Sequence, residues 1–99
     1  MFVVIVNHWC KPGKADIARG RIDFNGDEMM KAEGFVSRYR LETPSEPGKV
    51  STVTVWTDRA LYEKFKDAQR KAAASAAPSE SPYERVVNET FEVMKEHHR

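Results

Sequence analysis

Hydrophobic residues follow two kinds of spacing along the chain, and the spacing typical of strands occurs in four places. Residues 2–10 are mostly β-branched and aromatic and stop before a Pro-Gly turn, which predicts strand one. Residues 35–42 and 50–56 have the same character and flank a short polar loop with two prolines, so they predict an antiparallel hairpin. Residues 84–95 predict the last strand.

A first helix is predicted between strands one and two. In residues 14–32 the apolar side chains fall on a broad sector of a helical wheel, as in an amphipathic helix. Asn25 and Gly26 are poor helix formers, so a break or kink is expected near position 25. Gly34 is expected to mark the helix end.

A second helix is predicted over Asp58–Ala77, after the hairpin. Apolar residues recur there at spacings of four, seven and eleven from Leu61. Thr57 or Asp58 is expected to cap its beginning, and Pro78 and Pro82 are expected to end it.

The predicted order is β-α-β-β-α-β, an α+β class with the ferredoxin-like split βαβ arrangement. It places two helices on one face of a four-stranded antiparallel sheet. Ninety-nine residues suit one domain, so residues 1–99 are taken as a single unit.

Strand one has apolar residues on both of its faces. Phe2, Val4 and Val6 lie on one face, and Val3 and Ile5 lie on the other. Two helices cover only one face of such a sheet, so the second apolar face needs another cover. A second copy of the chain, packed sheet against sheet, would supply it, and this predicts a homodimer with the side chains of positions 2, 4 and 6 in its interior.

Composition excludes several classes of partner. The chain has 16 Lys and Arg against 15 Asp and Glu, a net charge of +1, which gives no electrostatic case for nucleic acid or an anionic membrane. Its one cysteine excludes an intrachain disulfide and a cysteine-based zinc site, and it indicates a reducing, cytoplasmic location. The initial apolar run is too short for a signal peptide or a membrane span.

Four parts of the chain together match a known pattern: the opening VVIVN, the KPGK turn, the segment from Met29 to Phe65 and a closing strand. In these parts the chain resembles the antibiotic biosynthesis monooxygenase family. It implies a dimeric α/β barrel. It also implies a small oxygenase that works without metal or flavin on an electron-rich aromatic or quinol-type molecule, although the family also includes haem-degrading members.

The resemblance implies that Asn7 points into a pocket between the sheet and the helices, where its amide would stabilise an oxyanion of the substrate. The alternative is a structural amide whose hydrogen bonds are satisfied within the protein. Arg38 shares a face of strand two with Arg40. It is expected either to pair with a carboxylate or to orient an anionic substrate.

Aromatic and aliphatic side chains are expected to form the walls of this pocket, with core packing as the alternative for Trp9 and Trp56. The expected wall residues are Trp9, Trp56, Leu61, Tyr62 and Phe65.

A haem-degrading function is less favoured by the pattern. Members of that branch carry a haem-ligating histidine on the second helix, and the stretch Asp58–Ala77 contains none. Phe65 stands where those members have a further tryptophan. His8, on the face of strand one that was assigned to the dimer interior, is expected to be a hydrogen-bonded buried histidine or, alternatively, a general base. His97 and His98 make no metal site.

Three functions therefore remain open from the sequence. The first is a cofactor-independent monooxygenase, the second a non-catalytic domain that binds a small aromatic molecule, and the third a haem protein with atypical ligation through His8.

Overall fold

A computed structural model of the chain describes residues 1–77 and 79–99. Its elements follow the predicted β-α-β-β-α-β order. They are β1 (Phe2–Cys10), α1 (Ala15–Met29), β2 (Phe35–Leu41), β3 (Lys49–Trp56), α2 (Arg59–Ala74) and β4 (Tyr83–Glu92).

The four strands form one sheet in the order β2-β3-β1-β4, and every neighbouring pair is antiparallel. Each β-α-β crossover therefore skips one strand position, which is the ferredoxin-like arrangement. The predicted fold class is confirmed.

Alternation along the two central strands shows which face the helices cover. On β3 the even-numbered positions are buried and the odd-numbered ones half-buried. The register places Val4 beside Thr54, Val6 beside Thr52 and His8 beside Val50. The helix-facing side of β1 is therefore the even-numbered one: Phe2, Val4, Val6 and His8.

The sequence predicted that Phe2, Val4 and Val6 lie in a dimer interior, on the face of β1 away from the helices. That prediction is wrong, because these side chains face the helices. β1 is apolar on both faces, so its own pattern does not show which face the helices bury. Neither of the two described helices lies over the odd-numbered face of the sheet. Its apolar side chains include Val3, Ile5, Val53, Val55, Tyr39, Leu41, Val87 and Phe91, and we call this surface the open face.

Trp56 is the centre of the packing between sheet and helices. It is fully buried, and its ring lies 5.8 Å from that of Phe35, 5.8 Å from Tyr62 and 5.5 Å from Phe65, centroid to centroid. Its Nε1–H has no hydrogen-bond partner among the described residues. Tyr62 and Phe65 lie in the first two turns of α2, so this cluster attaches α2 to the sheet by its N-terminal half.

Both helix boundaries differ in part from the predicted ones. α1 continues through Asn25 and Gly26 to Met29, so the expected break is absent, and it ends before Gly34. The carboxylate of Asp58 caps α2 by accepting a hydrogen bond of 2.9 Å from the Leu61 backbone N–H. α2 ends at Ala74, earlier than expected, and Pro78 lies outside the described residues.

Gly34 is required by the turn into β2. Its φ is +89°, and a Cβ there would lie 2.6 Å from Cδ1 of Leu61.

We expect Gly34→Ala to lower the free energy of unfolding by about 1–3 kcal/mol, because both the backbone and the packing would be strained. Gly20→Ala, in the interior of α1 with open space around the added methyl, is the control. It should raise stability by about 0.5–1 kcal/mol. Urea unfolding measures both variants, and an equal effect of the two would contradict this role of Gly34.

Candidate functional site

A cleft lies between the sheet and the two helices. It begins beyond the N-terminal half of α2, which the Trp56 cluster attaches to the sheet. Its volume is about 720 Å³. The side chains on its walls come from both helices and three strands, and half of them are aliphatic residues, phenylalanine or tyrosine. They are His8, Arg21, Ile22, Phe24, Asn25, Glu28, Arg38, Phe65, Ala68, Gln69, Ala72 and Tyr83.

A smaller chamber of about 180 Å³ continues from this cleft toward the sheet. Its walls are more polar than those of the cleft. They are Val4, Val6, His8, Asn25, Met29, Arg38, Thr52, Thr54, Tyr62, Lys66, Val86 and Asn88. His8, Asn25 and Arg38 line both spaces, so they lie at the boundary between cleft and chamber.

The imidazole of His8 is held in one tautomer. Its Nδ1 lies 2.9 Å from the carbonyl oxygen of Val50, and a carbonyl only accepts, so Nδ1 carries the proton and donates it. Nε2 is then the basic nitrogen. Burial lowers the pKa of His8 from 6.5; the hydrogen bond to Val50 opposes this shift, and the charge of Arg38 adds to it. The ring packs against Tyr83, with centroids 4.8 Å apart. His8 is therefore a neutral base at pH 7.

Arg38 and Arg40 lie on the same face of β2 but differ in their partners. Arg40 forms ion pairs with Asp23 at 2.7 Å and with Glu42 at 3.3 Å. Arg38 forms no ion pair with any described residue; its Nη1 donates to the thioether sulfur of Met29 at 2.8 Å. Burial lowers the pKa of Arg38. The guanidinium at the boundary of cleft and chamber is thus a cation without a carboxylate partner.

A hydrogen-bonded bridge crosses between the two helices at the same level. The amide of Gln69 on α2 donates to Oδ1 of Asn25 on α1, and Nζ of Lys66 donates to Oε1 of Gln69 at 3.0 Å. Burial lowers the pKa of Lys66, and repulsion from Arg70 and Arg38 lowers it further. Lys66 forms no ion pair within the part of the chain that is described.

Sequence reasoning did not assign Tyr83 to the site. It follows an irregularity in the β1–β4 pairing, where Cys10 lies opposite Tyr83 after Trp9 lies opposite Arg85. This irregularity brings Tyr83 to the cleft side of the sheet. Burial raises the pKa of the Tyr83 phenol, with a further contribution from Cys10. Its sequence neighbours carried no chemical motif that could have identified it.

Asn7 and Trp9 do not line the cleft or the chamber. They lie on the open face, where Oδ1 of Asn7 accepts a hydrogen bond of 2.6 Å from the hydroxyl of Ser51. The ring of Trp9 lies between the cations Lys49 and Arg85, at 5.4 Å and 4.5 Å from its centroid. The prediction that Asn7 points into the space between sheet and helices is wrong, because β1 has the opposite phase and presents His8 there instead.

The other predicted wall residues are divided between core and cavity. Phe65 lines the cleft and Tyr62 lines the chamber. Trp56 is buried in the aromatic cluster, and Leu61 packs over Gly34, so neither lines these two spaces. The structure therefore brings together Arg38, Tyr62 and Phe65 from the predicted set.

Two kinds of feature are absent from the described residues. Nowhere in residues 1–77 and 79–99 do three His, Cys, Asp or Glu side chains come together as they would around a metal ion. Neither described helix is long and apolar enough to cross a membrane.

The lowered pKa of His8 makes the free energy of unfolding depend on pH. Between 6.5 and the lower folded-state pKa the unfolded chain binds the proton more readily than the folded one, so stability falls as the pH falls through this interval. We expect the free energy of unfolding to fall less in His8→Gln than in the native chain when the pH is lowered from 7.5 to 5.5. Urea unfolding at the two pH values measures this difference. A proton NMR titration of His8 with a midpoint above 6.5 would contradict this account.

Comparison with known proteins agrees with this architecture. The family model described as antibiotic biosynthesis monooxygenase matches residues 1–77. No curated protein has a matching sequence.

Solved structures with the same fold share little sequence with the chain. A mutant of MhuD with two manganese protoporphyrin IX molecules bound per active site has a TM-score of 0.79 and 15% identity, covering 100% of both chains. The haem-degrader MhuD from Mycobacterium tuberculosis, with two haems in its active site, has a TM-score of 0.73 and 16% identity over 97% of this chain and 99% of its own.

A Deinococcus radiodurans protein provisionally assigned as an antibiotic biosynthesis monooxygenase has a TM-score of 0.77 and 10% identity, over 100% of this chain and 98% of its own. At such identities these structures establish the fold alone. The family model spans more than three quarters of the sequence, and the chain belongs to the antibiotic biosynthesis monooxygenase family.

Proposed function

We propose that this protein is a monooxygenase that works without a metal or organic cofactor and oxidises an electron-rich aromatic molecule, such as an anthrone, in the cleft. One observation carries the proposal: a neutral imidazole and a guanidinium without a carboxylate partner line the same cleft. The imidazole accepts a proton and the guanidinium stabilises an oxyanion. Family membership supports the reaction class.

The reaction begins with proton transfer to His8. Nε2 takes a proton from the methylene carbon of the anthrone, and the resulting negative charge moves to the substrate oxygen, which Arg38 stabilises. The electron-rich anion transfers electrons to O₂, and its carbon, now CH, forms a bond to one oxygen atom. The O–O bond then breaks, the carbon loses its second hydrogen to give C=O, and the proton held by His8 leaves with the other oxygen. One oxygen atom enters the product and the other leaves as water, so CH₂ and O₂ give C=O and H₂O.

The apolar walls of the cleft hold the aromatic rings and exclude water from the anion. Phe65 and Phe24 face the space from opposite helices, and Ala68 and Ala72 leave room beside them. Exclusion of water strengthens the attraction between the anion and Arg38. Tyr83 contributes to the walls of the cleft, and Tyr62 to those of the chamber.

The open face supports a homodimer as part of this proposal. Tyr39, Leu41 and Phe91 on it are each exposed by about half, at 58%, 48% and 46%. A second copy packed sheet against sheet would cover these side chains, with the helices and clefts outside. We also propose a cytoplasmic location, because the single cysteine suits a reducing compartment.

Oxygen uptake with anthrones and quinols tests the proposed reaction. We expect the native protein to consume oxygen with at least one of them, and Arg38→Met to reduce the rate by about 10²–10³-fold through loss of oxyanion stabilisation. Arg40→Met is the matched control, since it removes an arginine from the same strand face outside the cleft. It should leave the rate unchanged and cost at most about 1 kcal/mol of stability.

The outcomes distinguish the enzyme from a binding domain of the same fold. Oxygen uptake that is lost with Arg38→Met but kept with Arg40→Met supports the proposal. Binding of an aromatic probe without oxygen uptake favours a non-catalytic small-molecule binder. Uptake that is equally reduced in both arginine variants would contradict the role of Arg38.

Haem is a second candidate ligand, because Nε2 of His8 is an imidazole nitrogen without a partner among the described residues, at a cleft of about 720 Å³. α2 contains no histidine, so the histidine that ligates the haem iron would be His8 of β1 and not a residue of α2. A haem titration followed by absorbance tests this: a Soret band that disappears in His8→Ala supports haem ligation. The absence of a band in the native protein excludes it.

The homodimer is tested by light scattering. The native protein at micromolar concentration should have about twice the monomer mass of 11.3 kDa. Val53→Lys places a charge at the centre of the open face and should give a folded monomer. Ile17→Lys, on an exposed position of α1, should remain dimeric. A native monomer would contradict the inference from the open face.

A further inference from the structure

The chamber behind the cleft contains polar groups that the protein itself leaves without partners. Thr52 and Thr54 are 1% and 3% exposed, yet their hydroxyls make no hydrogen bond with another described residue. Both residues line the chamber, and among the described residues Trp56 Nε1 is the only fully buried side-chain polar atom without a partner, so the two hydroxyls keep some exposure to the chamber. They can therefore hydrogen-bond to a molecule that enters it.

The charges around the chamber have one sign. Arg38 and Lys66 are its charged wall residues at pH 7, and no carboxylate is among the described residues that line it. Asn88 adds an amide. The acidic side chain that lines the adjoining cleft, Glu28, is already paired with Lys31 at 3.1 Å. The chamber therefore offers donors and positive charge to an anion.

We propose that the chamber is a subsite for a carboxylate group carried by the aromatic ligand of the cleft. This inference rests on the proposed function only in taking the cleft as the place where the aromatic body binds. The apolar cleft then receives the rings, and the polar chamber receives the carboxylate. His8 and Arg38, which line both spaces, lie beside the reacting edge of the ligand between them.

A carboxylate suits the chamber better than a neutral group does. Its two oxygens accept about four hydrogen bonds, and the chamber presents donors on Arg38, Lys66, Thr52, Thr54 and Asn88. A hydroxyl or carbonyl would leave several of these donors unpaired. The volume of about 180 Å³ accommodates a carboxylate with its first carbon atoms.

Burial of Lys66 agrees with this assignment. Its ammonium group is partly desolvated, and repulsion from Arg70 and Arg38 lowers its pKa further. A bound carboxylate would relieve both effects, since it supplies the opposite charge at short range.

Fluorescence titration with 2-naphthoate and 2-naphthol tests the subsite. The two probes share their rings and differ in the carboxylate. We expect the native protein to bind 2-naphthoate more tightly than 2-naphthol. Lys66→Met should weaken 2-naphthoate by about tenfold to hundredfold and change 2-naphthol by less than about threefold. Lys64→Met, an exposed lysine of α2 that lines neither space, is the matched control and should change neither affinity.

Thr54→Val provides a second variant in which folding is not at risk. It removes a hydroxyl that has no hydrogen-bond partner among the described residues, at nearly constant shape, so the melting temperature should stay the same or rise. Affinity for 2-naphthoate should nevertheless fall by about threefold to tenfold. A merely structural threonine would not lower affinity while stability is maintained.

Equal affinities of the native protein for the two probes, absence of 2-naphthoate binding, or equal losses for both probes in Lys66→Met would overturn the subsite. The proposed reaction fails separately: no oxygen uptake, together with Lys66-dependent binding of 2-naphthoate, leaves the subsite intact and removes the oxygenase chemistry.

Discussion

The aromatic contacts around Trp56 determine how the helix layer sits on the sheet. Trp56 is fully buried, and the rings of Tyr62 and Phe65 hold the N-terminal half of α2 against it. No residue of α2 is fully buried, so its C-terminal half lacks an equivalent anchor. α2 is therefore attached to the sheet through its N-terminal half, and the cleft opens beside its C-terminal half. The burial that stabilises the fold also leaves the space for a ligand.

Ion pairs hold one of the two arginines on β2 and leave the positive charge of the other, Arg38, beside the cleft. Arg40 is neutralised by carboxylates of α1 and of the end of β2, whereas Arg38, two residues earlier, points to Met29 and the cavities. Burying a cation without a counter-ion costs free energy, and a bound anion would offset that cost. The neutral imidazole of His8 beside it adds a base. Apolar walls, a base and an unpaired cation together are what deprotonation of an aromatic substrate requires.

The sequence predicted the element order, the approximate strand positions and Asp58 as one of two candidate caps, because these depend on local periodicity and turn residues. The last strand, predicted over residues 84–95, ends at Glu92. It did not predict which face of β1 meets the helices, because Phe2, Val4 and Val6 alternate with the equally apolar Val3 and Ile5. Because of that ambiguity, the sequence prediction placed Asn7, and not His8, between the sheet and the helices. β3 carried a better signal, since Trp56 is a large ring that shares its face with Thr54 and Thr52. Lys66, Gln69 and Tyr83 enter the site through register and helix packing, which one sequence does not specify.

The phase of β1 is the central claim, and intermolecular nuclear Overhauser effects test it most directly. With 2-naphthoate bound to the native protein, ring protons should show contacts to the methyl groups of Ala68 and Ala72 in the cleft and to Thr54 in the chamber. Contacts to Val3, Ile5 and Val53 on the open face, with none to the alanines of α2, would contradict the account.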